Sequence, residues 1–426
     1  MKVLAKWMVV AALMMVIPEM KAFAETSLQS RINALPMGGT LKLEKGIYHE
    51  AIVMNKPMTL VGTKGAIFQT CGSDPAITIT GKNVTLKGVK LKQCAASKAK
   101  AVISISGDQH HLEDLTISTG NTGIKLTNTV NSNLESIKIT GQGKENAIDL
   151  WQSPHNTFEN ISIRHVQDGF YMENSDKNSF LHNTIQDSRY GMHIMFSDQI
   201  TLKGNTSTRN ITGAMVMGTQ QTLIEKNNLI ANNQNVNAQG LLLYDVHHSV
   251  IQNNLLSQNR IGMYIEDSSG NQIHDNEVNA NFIGAQIRQI TKNTIKGNSF
   301  IGNVNEIQAT DSSDNKLENN YWDAALKLDI DGDGKSNLPY RADPYFLNLT
   351  RETPPYQLLF QHPGLTLLQK MLKSPEPLLV TDSAPLMNNR LLEKHPERES
   401  NTAQWGISLI MISISLLMIY LGRRKQ

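Results

Sequence analysis

From Gly123 onward one phrase recurs along the chain: a small residue, a short alternation of apolar and polar positions, a polar turn, an Asn and a second short strand-like stretch. The residues that open it are Gly123, Ala147, Gly169, Gly191, Gly213, Gly240, Gly262, Gly284 and Glu306, at spacings of 24, 22, 22, 22, 27, 22, 22 and 22 residues. Alternation in such short runs predicts strands, and no helical period competes with it. A 22-residue unit of several short strands and turns is one coil of a parallel β-helix.

Asparagines keep the same beat. Fourteen residues after the openings stand Asn183, Asn205, Asn227, Asn254, Asn276, Asn298 and Asn320, and nineteen after stand Asn210, Asn232, Asn259, Asn281 and Asn303. A turn Asn repeated in each coil can bond its counterparts above and below, so both columns are predicted to be structural. Ala76-Ile77-Thr78-Ile79, Val84-Thr85-Leu86 and Val102-Ile103-Ser104-Ile105 predict looser coils upstream, preceded by a capping segment around Gly46-Ile47-Tyr48. The expected fold is an all-β, right-handed parallel β-helix over residues 25–340. About 12 coils would make a rod roughly 55 to 60 Å long.

Both ends depart from the repeat. Lys2 and Lys6 precede an apolar run from Trp7 to Ile17, Pro18 breaks it, and Ala22-Phe23-Ala24 offers a cleavage site, which predicts a signal peptide over residues 1–24 in preference to an uncleaved anchor. Residues 405–421 form an apolar stretch opened by Trp405 and followed by Arg423, Arg424 and Lys425, which predicts a membrane helix with residues 422–426 on the cytoplasmic side. Between rod and membrane, residues 341–400 turn rich in Pro and Leu. Leu365 to Leu372 suggest a short amphipathic helix that docks on the rod or a membrane partner, and Glu393 to Glu399 a linker.

Without the two end segments the chain carries 34 Lys and Arg against 37 Asp and Glu, which gives it no nucleic-acid character. Its two cysteines, Cys71 and Cys94, lie 23 residues apart, near the coil repeat. That would set them on adjacent coils at disulfide distance, although free thiols or metal ligation also fit.

Function should lie where the coils depart from what stacking needs. In the strand after each opening, positions one and three (Phe170 and Met172, Met192 and Ile194, Ala214 and Val216) should fill the bore. Positions two and four should then face out. They read Asp149 and Trp151, Tyr171 and Glu173, His193 and Met195, Met215 and Met217, Leu242 and Tyr244, Tyr264 and Glu266. A continuous stripe of Met, Trp and Tyr marks a partner surface or a ligand site. His193, Met195, Met215 and Met217 form a two-by-two patch of thioethers and imidazole, the donors that select Cu(I). A metal-free interface is the alternative, because Met also suits adaptable partner surfaces, and an incidental apolar stripe is a third. Trp151, Tyr171, Glu173, Tyr244, Tyr264 and Glu266 are the candidate partner contacts. His110-His111 and His247-His248, placed in turns, are weaker ligand candidates.

Past the coils, Asp329, Asp331, Asp333 and Gly334 match the opening of a calcium loop, but Tyr340 stands where its closing Glu belongs. Calcium binding and a polar Asx turn both fit.

RYGMHIMFSD from Arg189, GLLLYDV from Gly240, IGMYIEDSSGNQI from Ile261 and NNYWDAALKLDIDGDGKSNLPYR from Asn319 resemble the NosD family of nitrous-oxide-reductase maturation proteins, periplasmic members of the carbohydrate-binding and sugar-hydrolase type of β-helix. The likeness runs from about Gly39 to Met387. It implies a periplasmic, non-enzymatic accessory protein working with an ABC transporter permease and ATPase and with a copper chaperone to metallate nitrous oxide reductase. No nucleotide motif is present in the chain, so ATP would belong to the partner. The membrane helix, an anchor in the inner membrane, departs from the family pattern. The competing class is a lyase, hydrolase or epimerase acting on polysaccharide, which needs carboxylates or an acid and base clustered on adjacent coils. Asp149 with Glu173, and Glu266 with Arg288, are the candidates on the stripe, and His, Met, Leu and Tyr separate them.

Overall fold

The structure, a computed structural model, describes residues 27–94, 97–342, 353 and 379–389. Each coil contributes one strand to each of three sheets, and between Thr40 and Trp322 the strands pair in parallel with those three places away in chain order. The first sheet runs from Thr40–Leu43 to Lys316–Glu318, the second from Gly46–Tyr48 to Tyr321–Trp322, and the third from Ile52–Met54 to Asn305–Thr310. The chain is therefore an all-β parallel solenoid of about 13 turns.

Inward positions stack like on like. In the first sheet Leu134, Phe158, Phe180, Leu202, Ile224 and Ile251 follow one another in register, all buried. The Phe158 and Phe180 rings stack with centroids 5.0 Å apart, and Phe170 of the third sheet meets both edge-on. Between the first and second sheets the chain bends through one residue of positive φ per coil, as at Ser136, Asn160, His182, Lys226, Asn253, Asp275 and Asn319. That conformation costs a non-Gly residue about 1–2 kcal/mol. The asparagines beside the bend offset the cost. Asn205 Oδ1 accepts from the Asn183 backbone N–H at 2.9 Å, while Asn205 Nδ2 donates to Phe180 O at 2.9 Å, and the pattern continues to Asn320. Asn210, Asn232, Asn259, Asn281 and Asn303 form the second column in the same way. A third column, not separated in the sequence reading, holds Asn156 and Asn178 and resumes at Asn271, Asn293 and Asn315.

The cap is not where the sequence suggested. Gly46–Tyr48 is already a strand, pairing with Ala66, Ile67 and Phe68, and the cap is helix α1, Leu28–Ala34. Ser27 Oγ accepts from Ser30 N to start it, and it buries Leu28 and Ile32 against the first coil. Short, with one apolar face and no long period, it left little trace in the pattern. Cys71 and Cys94 form a disulfide between successive coils, with Cα atoms 5.0 Å apart.

At the far end, part of the segment after residue 340 returns to the rod. Val380–Asp382 pairs antiparallel with Tyr340–Ala342 and beside Leu317. The buried Asp382 ends the first Asn column, its Oδ2 accepting from Asn320 N at 3.1 Å, Asn320 Nδ2 at 2.9 Å and Trp322 Nε1 at 3.0 Å. Phe300, Trp322 and Tyr340 stack at 4.3 Å intervals over the last coil. The expected signal peptide (1–24), amphipathic helix (365–372), linker (393–399), membrane helix (405–421) and tail (422–426) lie outside the described residues. Among the described residues no helix is long and apolar enough to cross a membrane.

Candidate functional site

The outward face of the third sheet carries the stripe in the register read from the repeat. Asp149, Tyr171, His193, Met215, Leu242 and Tyr264 pair successively, as do Trp151, Glu173, Met195, Met217, Tyr244 and Glu266. Their inward neighbours Leu150, Phe170, Met172, Met192, Ile194, Ala214 and Val216 are buried. His193 thus lies beside Met215, and Met195 beside Met217, on adjacent strands.

His193 is held in place by residues that the sequence reading missed. Its Nδ1 is 3.0 Å from Oδ2 of Asp168, a fully buried carboxylate that Arg189 grips with two bonds, Nε to Oδ1 at 2.9 Å and Nη2 to Oδ2 at 2.8 Å. Burial pushes the Asp168 carboxyl up, but the hydrogen bonds from His193 and Arg189 outweigh it and hold the group below the usual carboxylate range. Tyr171 and Tyr190 meet the His193 ring edge-on at 5.2 and 5.1 Å, and Arg189 lies over Tyr190 at 4.5 Å. A carboxylate on Nδ1 leaves Nε2 as the ring nitrogen that could take a ligand, as in metal sites where a second residue orients the histidine.

Aromatic and tyrosine–glutamate pairs border the patch. Trp151 and Tyr171 lie with centroids 5.5 Å apart, and Tyr171 OH donates to Glu173 Oε2 at 2.9 Å. Burial and that bond push the Tyr171 hydroxyl up to about 12. Four coils on, Tyr264 OH donates to Glu266 Oε2 at 2.6 Å, and Arg288 Nη1 lies 3.3 Å from Glu266 Oε1. On the open side Phe196, 58% exposed and in the left-handed region at φ 48°, covers Gly218, where a Cβ would lie 2.8 Å from its ring. Tyr244 is also exposed.

The other candidates are dispersed. Asp149 accepts from Asn146 Nδ2 at 2.8 Å, and burial raises its carboxyl. Its register partner is Tyr171, not Glu173. Asp329, Asp331 and Asp333 bring donor oxygens within 4.8 Å of one another. Asp329 accepts from Gly332 N at 2.7 Å and Gly334 N at 3.0 Å, while Tyr340 is engaged in the ring stack, so the loop is closed as an Asx turn by its own backbone. His110 is buried, its Nε2 on Ser106 O at 3.1 Å, and burial lowers its pKa. His111 heads a strand of the first sheet instead of lying in a turn, and His247 ends one of the third.

Residues 135–332 match the model of a family described as periplasmic copper-binding protein (NosD). No curated protein sequence matches. Among solved structures, the A-module of the Azotobacter vinelandii mannuronan C-5 epimerase AlgE6 aligns with a TM-score of 0.59 at 14% identity, over 68% of this chain and 93% of its own. The Yersinia enterocolitica family 28 exopolygalacturonase gives 0.55 at 10% identity over 68% and 74%, and the periplasmic alginate epimerase AlgG 0.54 at 10% over 68% and 81%. At these identities the likeness is one of fold.

Proposed function

From the match of residues 135–332 to the model of a family described as periplasmic copper-binding protein (NosD), we propose that this chain handles Cu(I) at His193, Met195, Met215 and Met217 and acts by binding, not by catalysis. The observation that carries the reading is the oriented histidine. Asp168 occupies Nδ1, Arg189 fixes Asp168, and the nitrogen that remains shares a face with three thioethers on two strands. An imidazole nitrogen and soft sulfurs suit Cu(I) over Zn(II) or Ca(II). The cargo is destined for the copper sites of nitrous oxide reductase. A copper chaperone delivers or receives it, and an ABC transporter permease and ATPase are the membrane partners. Trp151, Tyr171, Glu173, Tyr244, Tyr264 and Glu266 form the contact surface beside the patch, and residues 405–421 tether the chain to the inner membrane.

The test is anaerobic Cu(I) titration of the purified protein against a calibrated chelator. One ion bound in the wild type, and lost when His193→Ala is combined with Met195→Ile, supports the site. Equal binding by both proteins removes it, and no binding by either leaves a metal-free docking scaffold.

The likeness of fold to enzymes acting on uronate polymers favours a second reading, a lyase, hydrolase or epimerase. The stripe offers Asp149, Glu173 and Glu266 for such chemistry, but Asn146 and Tyr171 engage the first two, and Tyr264 and Arg288 the third. Turnover of alginate or pectin would establish that reading over the first.

A further inference from the structure

The first sheet carries a second cluster of side chains able to ligate a metal, on a different face from the thioether patch. Its outward row reads Lys87, Glu113, Glu135 and Glu159 in register on successive coils. Three carboxylates so stacked, with strands about 4.8 Å apart, repel one another unless a cation lies among them. Lys87 serves only the first, with Nζ 2.7 Å from Glu113 Oε1. The neighbouring outward row puts His111 beside Asn133. His111 Nε2 lies 3.4 Å from Glu113 Oε2 and 3.3 Å from Glu135 Oε1, and the three donor atoms all fall within 4.8 Å of one another. Asn133 Oδ1, on this same face, is buried without a hydrogen-bond partner.

We propose that His111, Glu113 and Glu135 bind a divalent transition-metal ion of the zinc class, with Asn133 Oδ1 or water available to complete its shell. One imidazole nitrogen and two carboxylate oxygens are hard to borderline donors that favour Zn(II) and Co(II) and disfavour the Cu(I) assigned to the thioether patch. Each ligand is about one-third exposed, which leaves an entry path and an open coordination position. Lys87 competes with the ion for Glu113, so the site is tuned to modest affinity. His111 and Glu113 precede the residues matched by the family model, so the inference is independent of the copper reading.

Co(II) titration of the metal-free full-length chain, read by its visible d–d bands and then by Zn(II) displacement, tests the assignment. One ion of modest affinity is expected, weakened at least about tenfold by His111→Gln or Glu135→Gln and unchanged by Met195→Ile. Lys87→Met is expected to tighten binding severalfold, since it frees Glu113 Oε1 and removes a positive charge. Melting of each variant without metal separates lost ligation from lost folding. Binding that is indifferent to His111→Gln in a folded variant would overturn the site. So would weaker binding in Lys87→Met, because removing a cation that competes for Glu113 Oε1 cannot weaken an ion held there.

Discussion

A Cβ at Gly240 would lie 2.6 Å from Asn259 Nδ2 and 2.7 Å from the carbonyl oxygen of Gly262, so the residue that opens each coil must be small because the next coil's backbone lies against it. Glu306 occupies the same place in the last coil, where the third sheet ends and, among the described residues, no further strand of that sheet follows. Its carboxyl is buried, and burial, followed by a hydrogen bond with Asp323, pushes its pKa up to about 9. An unfolded Glu ionises near pH 4.5, so between that value and about 9 folding takes up a proton and stability falls as pH rises. Glu306→Gln should melt near the wild type at pH 5 but about 3 °C or more above it at pH 8. Thermal melts at the two pH values decide it, and parallel shifts at both would refute the linkage. Asp168→Asn keeps the shape but loses the charge that orients His193. Cu(I) affinity should drop about 10- to 100-fold with the circular dichroism spectrum unchanged.

Among the elements, the strands are too short to stand alone, most having three residues, and the Asn columns tie them together. Asn254 Oδ1 accepts from Asn227 N at 2.9 Å and from Asn227 Nδ2 at 3.0 Å, while its own Nδ2 donates to Ile224 O at 2.8 Å. Asn254→Leu keeps the number of side-chain heavy atoms but leaves a buried N–H and a carbonyl without partners. The expected loss is about 2–4 kcal/mol, measured by denaturant unfolding, and a neutral result would show the column to be dispensable. These elements were legible because a 22-residue beat repeats in both the apolar positions and the asparagines. Helix α1 was not, because seven residues with two buried apolar side chains make no period.

For the whole molecule, each coil touches only its neighbours, so stability is local along the rod. The Cys71–Cys94 disulfide staples early coils, and the Val380–Asp382 strand closes the far end of the first sheet. Replacing both cysteines by Ser should raise amide exchange in residues 40–94 while leaving residues 213–265 protected, as measured by hydrogen-exchange mass spectrometry. Loss of protection along the entire rod would instead mark it as one cooperative unit.

The order of the coils, their bore, the two Asn columns named above and the outward register of His193, Met195, Met215 and Met217 were determined by the sequence itself. All of these follow from alternation and a constant repeat, which are local rules read one coil at a time. The Asp168–Arg189–His193 network was decided by the tertiary structure. Strict alternation counted back through Gly169 would put Asp168 in the bore with Phe170, but the pairing passes over the opening glycines, and its carboxylate instead reaches a histidine 25 residues away. The meeting of His111, Glu113 and Glu135 and the ending of the Asn column on Asp382, 62 residues beyond Asn320, were likewise tertiary outcomes. Such contacts depend on where side chains of different coils converge, which no repeat within a single coil encodes.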